Sequence, residues 1–291
     1  MASPGKVEWL RVTPFLLLHA ACLLVFVVGW SWIALGVALL VYSARVFGLT
    51  AFYHRYFSHR AFKTSRTVQF LGALVGSSAG QRGPIWWAAH HRHHHRAADK
   101  PDDIHSPLQQ GFLWSHMLWF MTREAYGTDT RVVKDLLAFP ELRFLDRFDF
   151  LAPAMLALAM FLLGETIAAI WPASGTSGPQ MLIWGFLIST IVLHHVTFSI
   201  NSLAHTYGTR RFDTDDDSRN NLWLALITFG EGWHNNHHYF PSSARQGFRW
   251  WELDISYYLL VVMSWLGLVW DLKAPPARVL AGALHSPRTR G

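Results

Sequence analysis

Residues 12–44 contain no Asp, Glu, Lys or Arg. One straight helix of that length would measure about 50 Å at 1.5 Å per residue, far more than a bilayer core of about 30 Å. The stretch therefore folds back on itself, and Gly29-Trp30-Ser31 is where its pattern breaks. This predicts a helical hairpin with one span over 13–28 and a second running from 32 past 49 to emerge near His54. A second hairpin follows by the same argument. Residues 150–171 carry a single charge, Glu165, and 181–207 carry none, with a Pro/Ser/Gly-rich connector at 172–179.

Lys and Arg set the orientation. They are absent from the turn at Gly29 and from 164–180. Apart from Arg45, they lie before the first span, between the second and third, or after the fourth. The positive-inside rule makes those segments, and both termini, cytoplasmic. Arg45, near the far end of the second span, is expected to snorkel to the same side. The expectation is an all-α integral membrane protein, four transmembrane helices in two hairpins (about 13–54 and 150–207). A helical cytoplasmic cap (about 55–149 and 208–284) completes a single domain over 1–291, with 285–291 as a disordered tail. The apolar run 68–76 is too short to span and is expected to re-enter or lie on the membrane face. Residues 257–270 read as an interfacial helix. A cleavable signal peptide is not expected, because no small-residue cleavage site precedes the continuing second span.

Composition agrees. Charged residues are 15 % of the chain, against about a quarter in soluble domains, and hydrophobic residues are 51 %. The single cysteine, Cys22, excludes an internal disulfide and cysteine-built zinc or iron–sulfur sites. The excess of positive charge faces lipid phosphate or a protein partner; no nucleic-acid partner is expected.

Seventeen histidines remain to be explained, and most are clustered. The groups are His54-Arg-Tyr-Phe-Ser-His59, His90-His-Arg-His-His-His95, Asn201-Ser-Leu-Ala-His205 and Glu231-Gly-Trp-His234-Asn-Asn-His237-His238. Residues three and four apart share a helix face. His91, His94 and His95 can therefore converge, as can His234, His237 and His238, and Asn201 shares a face with His205. Adjacent His94 and His95 diverge by about 100°, which suits neighbouring ions. His54 and His59, five apart, share no face of a straight α-helix; either the helix ends between them or each serves a different ion. Spacing leaves open whether the second group starts at His90 or His91.

Neutral imidazole suits iron, copper, nickel and zinc, and so many histidines exceed the needs of one ion. The reading is a dinuclear, histidine-built site at the cytoplasmic membrane boundary. A basic face touching lipid phosphates does not account for the repeated spacing. The acidic stretch Asp213, Asp215, Asp216, Asp217 lacks the calcium-loop pattern and reads as a solvated loop. Glu231 either orients a histidine or caps a helix. His194 and His195 read as interior histidines or cavity lining, and His105 and His116 as neighbours of the ligands.

These motifs resemble the membrane fatty acid desaturase family, most closely its acyl-CoA Δ9 (stearoyl-CoA) branch and bacterial relatives, over about 50–273. The resemblance rests on HRYFSH at 54–59, Trp87 followed by HRHHH at 91–95, GFLWSH at 111–116, NSLAH at 201–205 and GEGWHNNHHYFP at 230–241. It implies two iron ions held by His54, His59, His91, His94, His95, His205, His234, His237 and His238, with Asn201 holding a water on one of them. Arg92 in this pattern selects the register starting at His91. It further implies oxygen as co-substrate, a cis double bond introduced at Δ9 into a saturated long-chain fatty acyl thioester, and a bent substrate tunnel lined by Gln81, Trp87, Thr197 and Phe198. Phe198 stands where animal members carry Trp. Those members also have an Arg-Asp pair that contacts CoA, and here Ala89 and His90 replace it. Acyl-CoA is the first substrate to consider and acyl-lipid the alternative.

No cytochrome b5-like segment or Rossmann glycine pattern is present, so electrons are expected from a separate ferredoxin, rubredoxin or cytochrome b5 type protein with its reductase. Arg55, Arg60, Lys63 and Arg66 are candidate docking charges, and the bilayer is the other partner. The expected location is a bacterial plasma membrane with the site on the cytoplasmic side. A hydroxylase of the same architecture is the nearest competing activity, and a histidine-lined metal transporter a distant one.

Overall fold

The computed structural model describes residues 6–281, so the expected disordered tail at 285–291 lies outside the described residues. Helices α1 (Trp9–Val28) and α2 (Trp32–Ser58) form the first hairpin. Gly29 turns between them at φ 64°, a backbone region a side chain would strain. Ser31 then caps α2, its hydroxyl accepting from the Ala34 amide at 3.1 Å.

The C-terminal part of α2 is not α-helical. From Gly48 to Ser58 it widens into π-helical turns. It is followed by β1 (Lys63–Thr64), α3 (Arg66–Ser77) and α4 (Pro84–Ala97). Helix α3 holds the short apolar run. It turns Leu71 and Val75 outward and sets Gly72 and Gly76 against α2. A Cβ at Gly72 would lie 2.1 Å from the Phe52 ring, so only glycine permits this approach.

After α5 (Pro140–Arg147), the second hairpin is α6 (Leu151–Ile170) and α7 (Gly178–His205). Glu165, the lone charge of α6, accepts from the Gly178 amide at 2.9 Å and so satisfies a free donor at the start of α7. Ser31 and Thr176 hydrogen-bond at 2.9 Å, tying the two hairpin turns together. Trp9, Trp30, Trp32 and Trp171 are exposed at span ends, where aromatic rings favour the membrane interface.

Two expectations need correction here. Arg45 does not snorkel: it is 1 % exposed and donates to Thr190 Oγ1 at 2.7 Å and Ser189 Oγ at 2.5 Å on α7. Those hydroxyls solvate the guanidinium inside the bundle, which removes the pull toward water. The apolar stretch 257–270 is not one helix. Between α8 (His234–Tyr239) and the chain end, α9 (Ile255–Trp265) stops at its last residue. Gly267 then turns at φ 70°, and β2 (Val269–Trp270) pairs antiparallel with β1, Thr64 opposite Val269.

Candidate metal centre

The π-helical turns solve the problem of His54 and His59. Hydrogen bonding from i to i+5 stacks residues five apart as an α-helix stacks residues four apart. The His59 amide donates to the His54 carbonyl at 3.3 Å, and the two rings lie 4.9 Å apart. Both therefore face one site: the helix ends at Ser58, between them, with His59 at its C-cap, and the two histidines belong to one group rather than to separate ones.

Ligand atoms of His54, His59, His91, His95 and His237 all lie within 4.8 Å of one another, and so do those of His94, His205, His234 and His238. All nine histidines named from the sequence thus fall into two groups. The second and fourth clusters are each divided between the groups, because adjacent histidines point about 100° apart on a helix. The groups abut, with the His95 and His238 rings 4.5 Å apart. Within the first, the Nε2 atoms of His54 and His237 are 3.0 Å apart and those of His59 and His91 are 2.8 Å apart. Within the second, those of His205 and His234 are 3.0 Å apart.

His91 joins the first group, whereas the His90 ring lies tilted against Trp86 at 4.1 Å and donates its Nδ1 proton to the Trp86 carbonyl. His93 points outward toward Asp129. Arg92 ties α4 to the end of α2, donating to the Phe57 and Ser58 carbonyls and to Asp135.

Carboxylates surround the histidines from outside. Asp103 accepts from His94 Nδ1 at 3.0 Å, Asp99 from His205 Nδ1 at 2.8 Å and Asp216 from His238 Nδ1 at 2.8 Å. Glu231 takes His54 Nδ1 and also pairs with Arg55. Such partners fix the tautomer and leave Nε2 free to face inward. Asp216 is therefore no part of a solvated loop, and Asp99 and Asp103 are functional residues that sequence spacing does not reveal. The only early hint is their position, four and eight residues after His95. Asp103 also accepts from the amides of Asp99 and His105, so its oxygens are already engaged by the protein. His105 sits beside His94 in this outer layer. His116 does not: it contacts Ser202 and His195 instead.

The donor set fits a bound metal. His238 Nε2 is buried without a hydrogen-bond partner while its Nδ1 is held by Asp216. Burial, reinforced by the neighbouring imidazoles, holds His91, His95, His234 and His237 well below the usual histidine range. Burial raises the Asp99 carboxyl, but its bond to His205 outweighs that and holds it at about 2. Neutral imidazoles backed by ionised carboxylates are the state a divalent or trivalent ion requires.

The docking charges proposed from sequence are mostly engaged. Arg55 is buried, paired with Glu231 and Asp254. Arg60, Lys63 and Arg66 pair with Asp135, Asp271 and Glu141.

A cavity of about 550 Å³ is lined by His91 of the first histidine group and by Asn201. This lies within the range of about 300–1,000 Å³ typical of small-ligand sites. Gln81, Trp87, Thr197 and Phe198 all line it, with Gln81 donating to Thr197 Oγ1 at 2.5 Å and Trp87 stacked on His91 at 5.0 Å. His194 lines the cavity too, held by the Ala79 carbonyl.

Comparison with known proteins adds the following. The family model described as fatty acid desaturase matches residues 30–266. Delta-9 acyl-lipid desaturase 1 of Arabidopsis thaliana is 39 % identical over 274 residues, covering 93 % of this chain and 85 % of that protein. The sn-1 stearoyl-lipid 9-desaturase of Anabaena variabilis is 35 % identical over 275 residues, covering 94 % and 96 %. Acyl-CoA 5-desaturase AL21 of Anemone leveillei is 36 % identical over 262 residues, covering 89 % and 77 %.

Proposed function

The chain belongs to the fatty acid desaturase family, and from that premise we propose that it introduces a cis Δ9 double bond into a saturated long-chain acyl group esterified in a membrane lipid. The observation that carries the reading is a cavity lined by residues of the membrane-spanning helices that reaches His91 of the first histidine group. The acyl-CoA branch suggested by the sequence motifs is the second reading, favoured by the acyl-CoA relative. The lipid reading is preferred because the relatives described above include an acyl-lipid and a stearoyl-lipid desaturase, and because α1 and the start of α6 contribute to the cavity wall.

Two irons are the proposed cofactor, held by His54, His59, His91, His95 and His237 and by His94, His205, His234 and His238, with Asn201 holding a water on one of them. When bound, they supply oxygen activation and the one-electron chemistry needed to remove hydrogen from an unactivated methylene. The chain's own residues do the rest. The carboxylates of Asp99, Asp103, Asp216 and Glu231 hold the Nδ1 protons of four ligands in place. Trp87, Phe198 and the Gln81–Thr197 bridge shape the cavity beside His91 and exclude water from it. Methylenes along a saturated chain are chemically alike, so the depth to which this wall admits the chain selects the bond.

The remaining proposals concern setting. The four spans and cap act as one domain, placed in a bacterial plasma membrane with the metal centre and termini cytoplasmic, following the Lys/Arg distribution. A separate ferredoxin, rubredoxin or cytochrome b5 type protein with its reductase delivers electrons.

Expression in a host lacking its own desaturase tests the activity. Gas chromatography should show a new Δ9 monounsaturated acid, lost on His234→Ala. Absence of any new unsaturated or hydroxylated acid from the wild-type chain would refute the reading, and a hydroxylated product would favour the hydroxylase. Iron analysis of the purified protein tests the metal: active protein containing zinc alone would overturn iron.

A further inference from the structure

The cavity has a polar rim that the chemistry at its metal end does not use. Arg11, Arg82 and Tyr126 all line it. Both guanidiniums lie over the Tyr126 ring, Arg11 at 4.6 Å and Arg82 at 5.2 Å from its centroid. Arg11 and Phe150 are exposed, which marks this end as the open one, whereas His194 and Phe198 at the other end are buried.

Each member of the rim is positioned by fixed backbone. The Glu8 amide donates to the Met121 carbonyl at 2.9 Å, so the start of α1 is pinned against the segment leading to Tyr126. Trp86 Nε1 donates to the Ala125 carbonyl at 2.8 Å and anchors that segment from α4. Arg82 has φ 69°, a conformation costly for a residue with a Cβ, and its carbonyl accepts from Tyr53. Strain of this kind persists where surrounding structure holds it, and it clusters at ligand sites.

Charge at the rim is unbalanced. Arg82 pairs with Asp149 at 3.0 Å. Arg11 has no carboxylate partner among the described residues, and Glu8 lies nearer Arg123, at 3.9 Å. Two guanidiniums thus face one directly paired carboxylate, with a phenol between them. Arginine forks match phosphate oxygens, and a surplus cation at the bilayer surface attracts anionic headgroups.

We propose that Arg11, Arg82 and Tyr126 form a phosphate-binding rim that recognises the phosphodiester of a glycerolipid whose acyl chain enters the cavity. The inference rests on the acyl-lipid reading above and narrows it to phosphate-bearing lipids. The same chemistry would accept the phosphates of an acyl-CoA. The lipid is the assigned source because Arg11 and Phe150 stand at the ends of spans α1 and α6, where headgroups lie.

The test is titration calorimetry of the detergent-solubilised full chain with three soluble probes: dioctanoyl phosphatidylglycerol, dioctanoyl monogalactosylglycerol and octanoyl-CoA. Phosphatidylglycerol should bind about tenfold more tightly than the uncharged galactolipid, the worth of a charge-assisted contact. Arg11→Gln and Arg82→Gln should each remove most of that difference and leave galactolipid affinity unchanged. Because Arg82 is strained and ion-paired, Arg11→Gln is the decisive variant, with an unchanged melting temperature showing that it is folded. Equal affinity of the wild-type chain for both lipids, or an Arg11→Gln chain that still distinguishes them, overturns the rim. Octanoyl-CoA binding more tightly than phosphatidylglycerol overturns the lipid source. Chromatography of cellular fatty acids is a separate readout. A chain that shows the binding pattern but forms no double bond sustains the rim and refutes the function.

Discussion

Asp216→Asn should strip one metal ion and spare the other. In the wild-type chain, Asp216 Oδ2 accepts from His238 Nδ1 at 2.8 Å. Its Oδ1 accepts from Thr214 Oγ1 at 3.0 Å and the Ser218 amide at 2.9 Å. An asparagine has one acceptor oxygen, and the two donors at the Oδ1 position claim it. The amide NH2 is then presented to His238 Nδ1, donor against donor. The imidazole relieves the conflict by moving its proton to Nε2, the atom that faces the second histidine group, and so ceases to be a ligand. Loss of such an outer partner costs about 10- to 100-fold in metal affinity, or about 1.4–2.8 kcal/mol. His238 belongs to the four-histidine group alone, so the ion proposed for the five-histidine group should be retained. Iron per chain after dialysis against graded chelator should fall in two separated steps for the variant and at higher chelator concentration for the wild type. Identical curves would refute the role of Asp216, and simultaneous loss of both ions would refute the division into two groups.

Four further outcomes follow from other parts of the molecule. His91→Ala should lower iron content and abolish product, whereas His90→Ala should retain both ions; the reverse result would move the register by one residue. Metal-free protein should lose stability as pH falls below about 6.5, because the unfolded chain then takes up protons at His91, His95, His234 and His237 that the folded chain excludes. Stability is full above that pH and declines toward the lower folded values, by up to about 1.4 kcal/mol per pH unit for each histidine; a melting temperature at pH 5.5 equal to that at 7.5 would contradict this. Gly72→Val should destabilise by at least about 1–3 kcal/mol through overpacking, since the Phe52 ring occupies the space of the new side chain; a thermal melt reads it. Arg45→Met should leave the melting temperature nearly unchanged, because Ser189 and Thr190 also hydrogen-bond to carbonyls of their own helix and a buried charge gives way to an apolar chain of similar length; a large loss would show that the guanidinium holds α2 to α7.

What could be read from the chain alone divides along one physical line. The hairpins were legible because burial in lipid imposes a length and forbids charge, and both are properties of a continuous segment. The full set of nine histidines came from the family resemblance; the convergence of His91 with His94 and His95, and of His234 with His237 and His238, was legible because spacing within a helix decides which side chains share a face. The division of those histidines between two groups was only partly so. It depends on how α4 and α8 are turned toward each other, and periodicity within one helix carries no such information. The π-helical turns escaped for a related reason. Nothing in the composition of Gly48–Ser58 distinguishes i to i+5 bonding from i to i+4 bonding. Gly72 and Gly76 of α3 admit the Phe52 and Tyr53 rings of these turns, so the packing of the stretch that carries His54 involves another helix. The carboxylates repeat the pattern. Asp99 is held by Ser106 and by the Asp217 amide, and Asp216 by Thr214 and Ser218, all in loops whose course depends on the assembled cap. A metal centre of this kind is therefore written twice. Part of its histidine pattern is recorded in local spacing, whereas the groups that orient those histidines are recorded in tertiary contacts. Substitutions at the second set, such as Asp216→Asn, are accordingly the ones whose effects ligand spacing alone would fail to anticipate.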